Sequence, residues 1–272
     1  MVNYGNDTVW TAGMRAARNM DQSEINRNID TEPGEDIGKS GMVNSSQTGV
    51  HPRLELTLRR HLQTPWVQPL HTPTVDAYHR LLNENIFSGE HPIILDSGCG
   101  TGKSTQRLAD LFPQHIVIGI DRSLVRLAKS GVDSGFNRRG NCILLRAELA
   151  TFWRLMASDG HSPEMNFLLY PNPYPKPGHL KRRWHGHPVF PHLLSLGGEI
   201  ELRCNWEIYA LEFAQAIKLA CGILVKVQKF QAETAVSPFE RKYLGRGQQL
   251  YSVSVPASVT QDFRLHWHKA QS

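Results

Sequence analysis

Cysteine is scarce in this 272-residue chain: the four that occur, Cys99, Cys142, Cys204 and Cys221, lie far apart and form no Cys-x-x-Cys pair. Neither a disulfide framework nor a zinc knuckle is expected, and the pattern implies a reducing, cytoplasmic setting. Also missing is any uninterrupted apolar run of the ~18 residues that a membrane span requires. No basic stretch followed by an apolar one opens the chain, so a soluble, unprocessed protein is expected. Apolar residues are thin in roughly the first fifty positions, where Asn, Gly, Asp, Ser, Thr and Gln dominate. Such a composition buries too little surface to offset its ordering entropy, so residues 1–52 are expected to form a flexible arm ahead of one catalytic domain over residues 53–272. Lys and Arg exceed Asp and Glu by five, a bias that tolerates a polyanionic partner without demanding one.

What is present begins at Arg53. Pro65, Pro69 and Pro73 punctuate a connector, after which Val75, Tyr78, Leu81 and Leu82 recur at helical spacing. Between His91 and Val227, short apolar runs alternate with amphipathic stretches. Strands are expected at 93–95, 116–120, 142–145, 167–170 and 199–202, with two more at 224–227 and 250–255. That rhythm predicts an α/β fold: a doubly wound, mostly parallel, seven-stranded Rossmann-like sheet with helices on both faces. Ligands then belong at the carboxyl ends of the strands.

The most informative segment is Asp96-Ser97-Gly98-Cys99-Gly100-Thr101-Gly102, which ends the first strand and leads into a helix near Lys103. Glycine lets the backbone approach a ligand with no Cβ in the way. A dinucleotide fingerprint in this register needs glycine where Lys103 stands. A phosphate-binding loop ending at Gly102-Lys103-Ser104 needs its first glycine at Ser97. Strand, acid, G-x-G-x-G and helix remain, a pattern that resembles the class I S-adenosylmethionine (SAM) methyltransferases. Asp121 ends the next strand, placed to accept both hydroxyls of a ribose. Glu148, beyond the third strand, is placed either to meet an adenine edge or simply to favour a helix start by its charge.

At the fourth strand end, Tyr170-Pro171-Asn172-Pro173-Tyr174-Pro175-Lys176 is followed by His179 and Lys181-Arg182-Arg183-Trp184. This run resembles the tRNA (guanine-N7)-methyltransferases of the bacterial TrmB type, which carry Phe-Pro-Asp-Pro-Trp-x-Lys and then His-x-Lys-Arg-Arg. The family's Thr-Asp-Trp is similar to Cys204-Asn205-Trp206, with Tyr209 following, and its Thr-x-Phe-Glu-x-Arg-Gly to Ser237-Pro238-Phe239-Glu240 followed by Gly245-Arg246-Gly247. The resemblance spans roughly residues 90 to 255. It implies SAM as cofactor, held by Asp96, Gly98, Gly100, Gly102, Asp121, Glu148 and Asn172, and tRNA as partner. It further implies a catalytic pair, Asn172 and Asn205, where the family has acids. Substrate contacts would come from Lys176, His179, Lys181, Arg182, Arg183, Asn205, Ser237 and Glu240, the last against guanine N1 and N2.

Guanine N7 has a lone pair and no proton, so its methylation needs no general base, and neutral amides would stabilise the cationic product less well than carboxylates. Asn-Pro-Tyr-Pro is also similar to the Asn-Pro-Pro-Tyr of amino-methylating enzymes, which keeps an exocyclic amine acceptor open. A diverged enzyme acting on a small molecule and a non-catalytic RNA-binding subunit stay open beside it. The cationic run with Trp184 and His185 suits a phosphate backbone and an unstacked base, or is a solvated turn. His179, His185, His187 and His192 lack a ligand spacing, and no metal is expected.

Overall fold

In the computed structural model, which describes residues 43–231 and 235–271, the central apolar segments are buried along their whole length, as strands covered on both faces must be. They are β1 (Ile93–Ser97), β2 (Ile116–Asp121), β4 (Cys142–Arg146, exposed only at Arg146), β5 (Met165–Leu169) and β6 (Glu199–Cys204), all mutually parallel. β8 (Leu250–Val255) runs antiparallel to β6, and β7 (Val227–Phe230) antiparallel to β8. With an edge strand β3 at Phe136–Arg139, the sheet order is β3-β4-β2-β1-β5-β6-β8-β7.

The expected doubly wound, mostly parallel sheet is therefore found, with eight strands among the described residues instead of seven. The extra one is β3 (Phe136–Arg139), an edge strand paired antiparallel to β4 through Gly140-Asn141, with Gly140 at φ +58°. Phe-Asn-Arg-Arg shows no apolar alternation, so nothing in its pattern announces a strand. β7 begins at Val227, where 224–227 is the expected segment; Leu224 is 73% exposed and outside the sheet. β5 ends at Leu169 because Tyr170 turns to φ +53°, a value no strand residue holds.

Side chains alternate between the two faces as the strand period requires. Ile93, Leu95, Ile118, Ile120, Ile143 and Leu145 join one core cluster, while Ile94, Val117, Leu144, Phe167 and Leu169 join the other. The larger cluster lies beneath α1 (Leu54–Gln63), α2 (Thr72–Asn83), α5 (Leu149–Ser158), α6 (Phe190–Ser195), α7 (Glu207–Cys221) and α9 (Ala257–Gln271). The smaller lies beneath α3 (Lys103–Leu111) and α4 (Leu124–Leu127). The chain leaves β1 toward β2 on one side and returns to β5 on the other. That switch of direction opens a crevice at the carboxyl ends of β1 and β5.

Residues 1–42 of the expected arm lie outside the described residues. Residues 43–52 are not loose: Ser45 Oγ donates to the Pro175 carbonyl at 2.6 Å, Gln47 Nε2 to Glu212 Oε1 at 2.6 Å, and the His51 amide to the same oxygen at 2.9 Å. Polar composition hides this packing, because the partners lie 130 to 165 residues away.

Candidate active site

The glycine loop wraps the end of β2. The amides of Gly98 and Cys99 donate to the Ile120 carbonyl at 2.8 and 3.0 Å, and that of Gly100 to Asp121 Oδ2 at 3.0 Å. Gly102 sits at φ +81°, and a Cβ there would stand 2.7 Å from both Leu144 methyl carbons. Gly98, at φ +91°, differs: a Cβ would meet only Leu149, at 4.0 Å, because the residue faces open space. Gly102 thus closes the turn onto α3, whereas Gly98 keeps the mouth clear.

Asp96 lies beneath this loop, 1% exposed, its Oδ2 accepting from Ser104 Oγ at 2.6 Å and Thr105 Oγ1 at 2.8 Å. Its Oδ1 is buried with no partner. Burial pushes the carboxyl up to about 6, against the two hydroxyl bonds that lower it, and the Asp121 charge adds to the rise. Asp121 also accepts from the Ser123 amide at 2.8 Å, and Arg126 stands 3.6 Å off. Glu148 caps α5, its Oε2 accepting from the Thr151 amide at 3.1 Å and the Thr151 hydroxyl. The helix-start role is therefore filled, and the side chain borders the crevice as well.

Opposite the glycines, the Tyr170–Lys176 loop holds two residues in the left-handed region, Tyr170 at φ +53° and Tyr174 at φ +42°. Such conformations cost ~1–3 kcal/mol each and persist only where surroundings impose them. Here Arg183 imposes the second: its Nε and Nη2 donate to the Tyr174 carbonyl at 3.2 and 3.1 Å. Its Nη2 also reaches Gln47 Oε1 at 3.0 Å, and its Nη1 meets Glu212 Oε2 at 2.5 Å. Arg183 is completely buried, so it is a strut inside the fold and not the RNA contact expected of it. Lys181 and Arg182, its neighbours, are exposed. The Arg182 guanidinium carbon lies 4.4 Å from the centre of the Tyr174 ring.

Gly98, Asp121, Glu148, Asn172, Lys181 and Arg182 all line one cleft of about 480 Å³, within the range of small-molecule sites. A hollow of about 1030 Å³ under α2 continues from it, sharing Asp121, Ala147 and Glu148. Asn172 is exposed in the cleft, its Oδ1 accepting from the Tyr174 amide at 3.3 Å. Trp184, expected against an unstacked base, faces it, as do Tyr174 and His187; His185, expected beside it, is completely buried and bonds Glu212 at 2.8 Å instead. Burial pulls His187 down to about 4, against the Glu148 charge that raises it.

Several expected site residues lie elsewhere. Asn205 donates to Gln248 Oε1 at 3.0 Å and does not border the cleft. Glu240 is fully buried, accepting from the Tyr170 hydroxyl at 3.0 Å, Arg203 Nη1 at 2.9 Å and the Val236 amide at 2.5 Å, so its carboxylate is spent inside the protein and cannot read a base edge. Ser237 caps α8 (Pro238–Leu244), accepting from the Glu240 amide at 3.1 Å, which makes it structural as well. Lys176 is exposed and His179 packs edge-on to Tyr174 at 6.1 Å, both outside the cleft. Among the described residues, no cluster of His, Cys, Asp or Glu could hold a metal ion and no helix is long and apolar enough to cross a membrane.

A family model described as "Putative methyltransferase" matches residues 90–253, the stretch that carries both loops and the sheet between them. The chain belongs to this methyltransferase family. It is similar to the tRNA (guanine-N(7)-)-methyltransferase of Acinetobacter baylyi, 28% identical over 47% of this chain and 53% of that protein. The protein of the same name from Porphyromonas gingivalis is 30% identical over 44% and 49%, and that from Syntrophotalea carbinolica 24% identical over 67% and 86%. The chain thus spans about half the length of the first two of these relatives. Among solved structures, that of the 16S rRNA methyltransferase KamB is 15% identical, with a TM-score of 0.47 over 70% of this chain and 94% of that one.

Proposed function

We propose that this chain transfers a methyl group from SAM to a base in RNA, and that the acceptor is N7 of a guanine in tRNA. The observation that carries this reading is the cleft itself. Gly98 of the glycine loop and Asn172 of the fourth-strand loop border one space, with exposed Lys181 and Arg182 at its rim. Family membership and the activity for which the relatives are named support the reaction class and the acceptor.

The residues present fit a nucleoside bearing an amino-acid chain. The open face of Gly98 leaves room for the amino-acid end, and Asp96, buried beneath the glycine loop with its Oδ1 unpartnered and outside the cleft lining, adds negative polarity under it. Asp121, facing both the cleft and the hollow under α2, is placed for a ribose diol. When bound, SAM supplies an electrophilic sulfonium methyl group. The chain's own work is then to orient the acceptor, which for a lone-pair nitrogen supplies much of the acceleration. Asn172 holds a base edge by hydrogen bonds, and Tyr174, Trp184 and His187 offer rings against an unstacked base.

Incubating the purified protein with labelled SAM and unmodified tRNA, followed by nucleoside mapping, tests this directly. Label in 7-methylguanosine is the expected result; SAM binding with no incorporation into any tRNA would sink it. One observation favours a second reading. With Glu240 enclosed, Asp121 assigned to a ribose and Glu148 capping α5, a remaining acceptor lining the cleft is the Asn172 amide oxygen, which suits an exocyclic amine. Label on an amino nitrogen in the same experiment would select it.

A further inference from the structure

A second groove, of about 460 Å³, runs between α1 and the 3-10 turn Pro177–Arg182. Among the described residues its charged and titratable lining consists of Arg53, Arg60, Lys181, His51 and His61, with no carboxylate. Arg53, Arg60 and Lys181 are exposed, and the one acid on α1, Glu55, pairs with Arg59 at 2.8 Å, away from the lining. Its apolar lining is Leu56, Pro177 and Leu180, of which Leu180 is buried and the other two are exposed. Lys181 lines both this groove and the cleft, so the two hollows meet at its side chain.

The groove is firmly built. Leu54 and Leu58 anchor α1 in the core, and His61 Nε2 meets the Gly186 carbonyl at 3.2 Å. The turn is held from below by Arg183. Burial lowers the His61 imidazole, the Gly186 bond opposes it, and the Lys181 and Arg60 charges lower it further, as expected of a spot where cations converge. Cations gathered on rigid elements, beside the cleft that takes the reacting base, suit the strand that enters that cleft.

We propose that the α1 groove is a phosphate track: it takes the RNA backbone next to the methylated nucleotide, with Arg53 and Arg60 contacting phosphates and Lys181 marking the passage into the cleft. Arg60 lies one helical turn beyond Leu56, and Arg53 just before the helix, so both ends of the groove carry a cation. The inference rests on RNA being the substrate, and a readout other than methylation separates the two claims.

The test is the binding of unmodified tRNA to the full chain, measured by fluorescence anisotropy over a salt series. Each phosphate neutralised adds about 0.7 on a single strand, and about 0.9 on a duplex, to the slope of log affinity against log salt, so Arg53→Ala with Arg60→Ala is expected to lower that slope by about 1.4 to 1.8. Between roughly 50 and 200 mM salt, the variant's affinity should then fall about tenfold less than that of the parent. SAM affinity should be unchanged, since neither arginine borders the cleft. Arg60→Glu should weaken tRNA binding further. Equal slopes and affinities in parent and double variant would overturn the proposal. If residues 1–42 also became more protease-sensitive in the variant, the chain's own N-terminal stretch would be the occupant instead, again overturning it. A lowered slope with no methyl transferred to tRNA by the parent would keep the track and sink the acceptor reading.

Discussion

Arg183 Nη1 stands 2.5 Å from Glu212 Oε2, with both side chains completely buried, and the pair joins the turn beyond β5 to the middle of α7. Glu212 also accepts from His185 Nε2 at 2.8 Å, from Gln47 and from the His51 amide. Every lone pair is used, which is the condition under which a buried charge is tolerated. The same guanidinium holds the Tyr174 carbonyl, so the pair couples residues 43–51 to the loop that borders the cleft.

Removing one partner leaves the other charged and unpaired in the interior. Arg183→Ala is expected to cost ~3–5 kcal/mol, read as a lower midpoint in urea unfolding, whereas Gln47→Ala should cost about 1 kcal/mol. A near-neutral Arg183→Ala would mean that the interior admits water at this point.

Stability should rise with pH between about 4 and 6.5. Burial lowers His187 and His192 to about 4, so in that window the unfolded chain binds protons that the folded chain refuses. Their contribution is complete above 6.5 and lost as pH falls through 4. Glu212 is also held below its usual range: burial raises it, and the bonds from His185 and Arg183 outweigh that. Its contribution is present above about 4.5 and fades on further acidification. Asp96 runs the other way. Its carboxyl is raised to about 6, so the folded chain gains protons between 3.8 and 6, and this component weakens as pH rises through that range. Thermal melts from pH 4 to 8 on the parent and on His187→Gln separate the terms, the variant losing part of the slope between 4 and 6.5.

Alanine in the glycine loop should divide by position. Gly102→Ala meets Leu144 at 2.7 Å as well as an unfavourable φ, and should cost ~2–4 kcal/mol of stability. Gly98→Ala has only its φ to contend with, ~1–3 kcal/mol, but places a methyl group at the cleft mouth. Calorimetric titration with SAM should then show Gly98→Ala losing affinity out of proportion to its change in melting temperature. Equal behaviour of the two variants would remove Gly98 from the cofactor site.

The two asparagines should also part company. Asn172→Ala takes a hydrogen-bonding group from the cleft and is expected to lower kcat by the order of 10²-fold with little change in melting temperature. Asn205→Ala loses its bond to Gln248, about 1 kcal/mol of stability, and should keep most of its turnover. Single-turnover methylation beside differential scanning fluorimetry checks both, and the reverse ranking would return Asn205 to the reacting centre.

Which features were legible follows from how local their physics is. The Leu54, Leu58, Leu62 spacing is a local signal for α1, and Ser237-Pro238-Phe239-Glu240 has the letters of a capping box at the start of α8, of which only the Ser237 half forms. Glu240 looks like a ligand in that motif because a carboxylate near a site usually is one. Its amide is bound to Ser237, and its carboxylate points to Tyr170 and Arg203, 70 and 37 residues away.

Sequence alone determined the strand rhythm, the register of Gly98, Gly100 and Gly102, and the acids at two strand ends, since periodicity and backbone sterics act over a few residues. Only the tertiary structure decided what each charge does. Lys181, Arg182 and Arg183 are equivalent as letters. The 3-10 turn that carries Lys181 and Arg182 and ends before Arg183, with Glu212 waiting 29 residues on, sends the first two to the cleft and the third into the core. A buried cation must find its counter-charge wherever the fold supplies one, and that distance is set by packing and not by spacing in the chain.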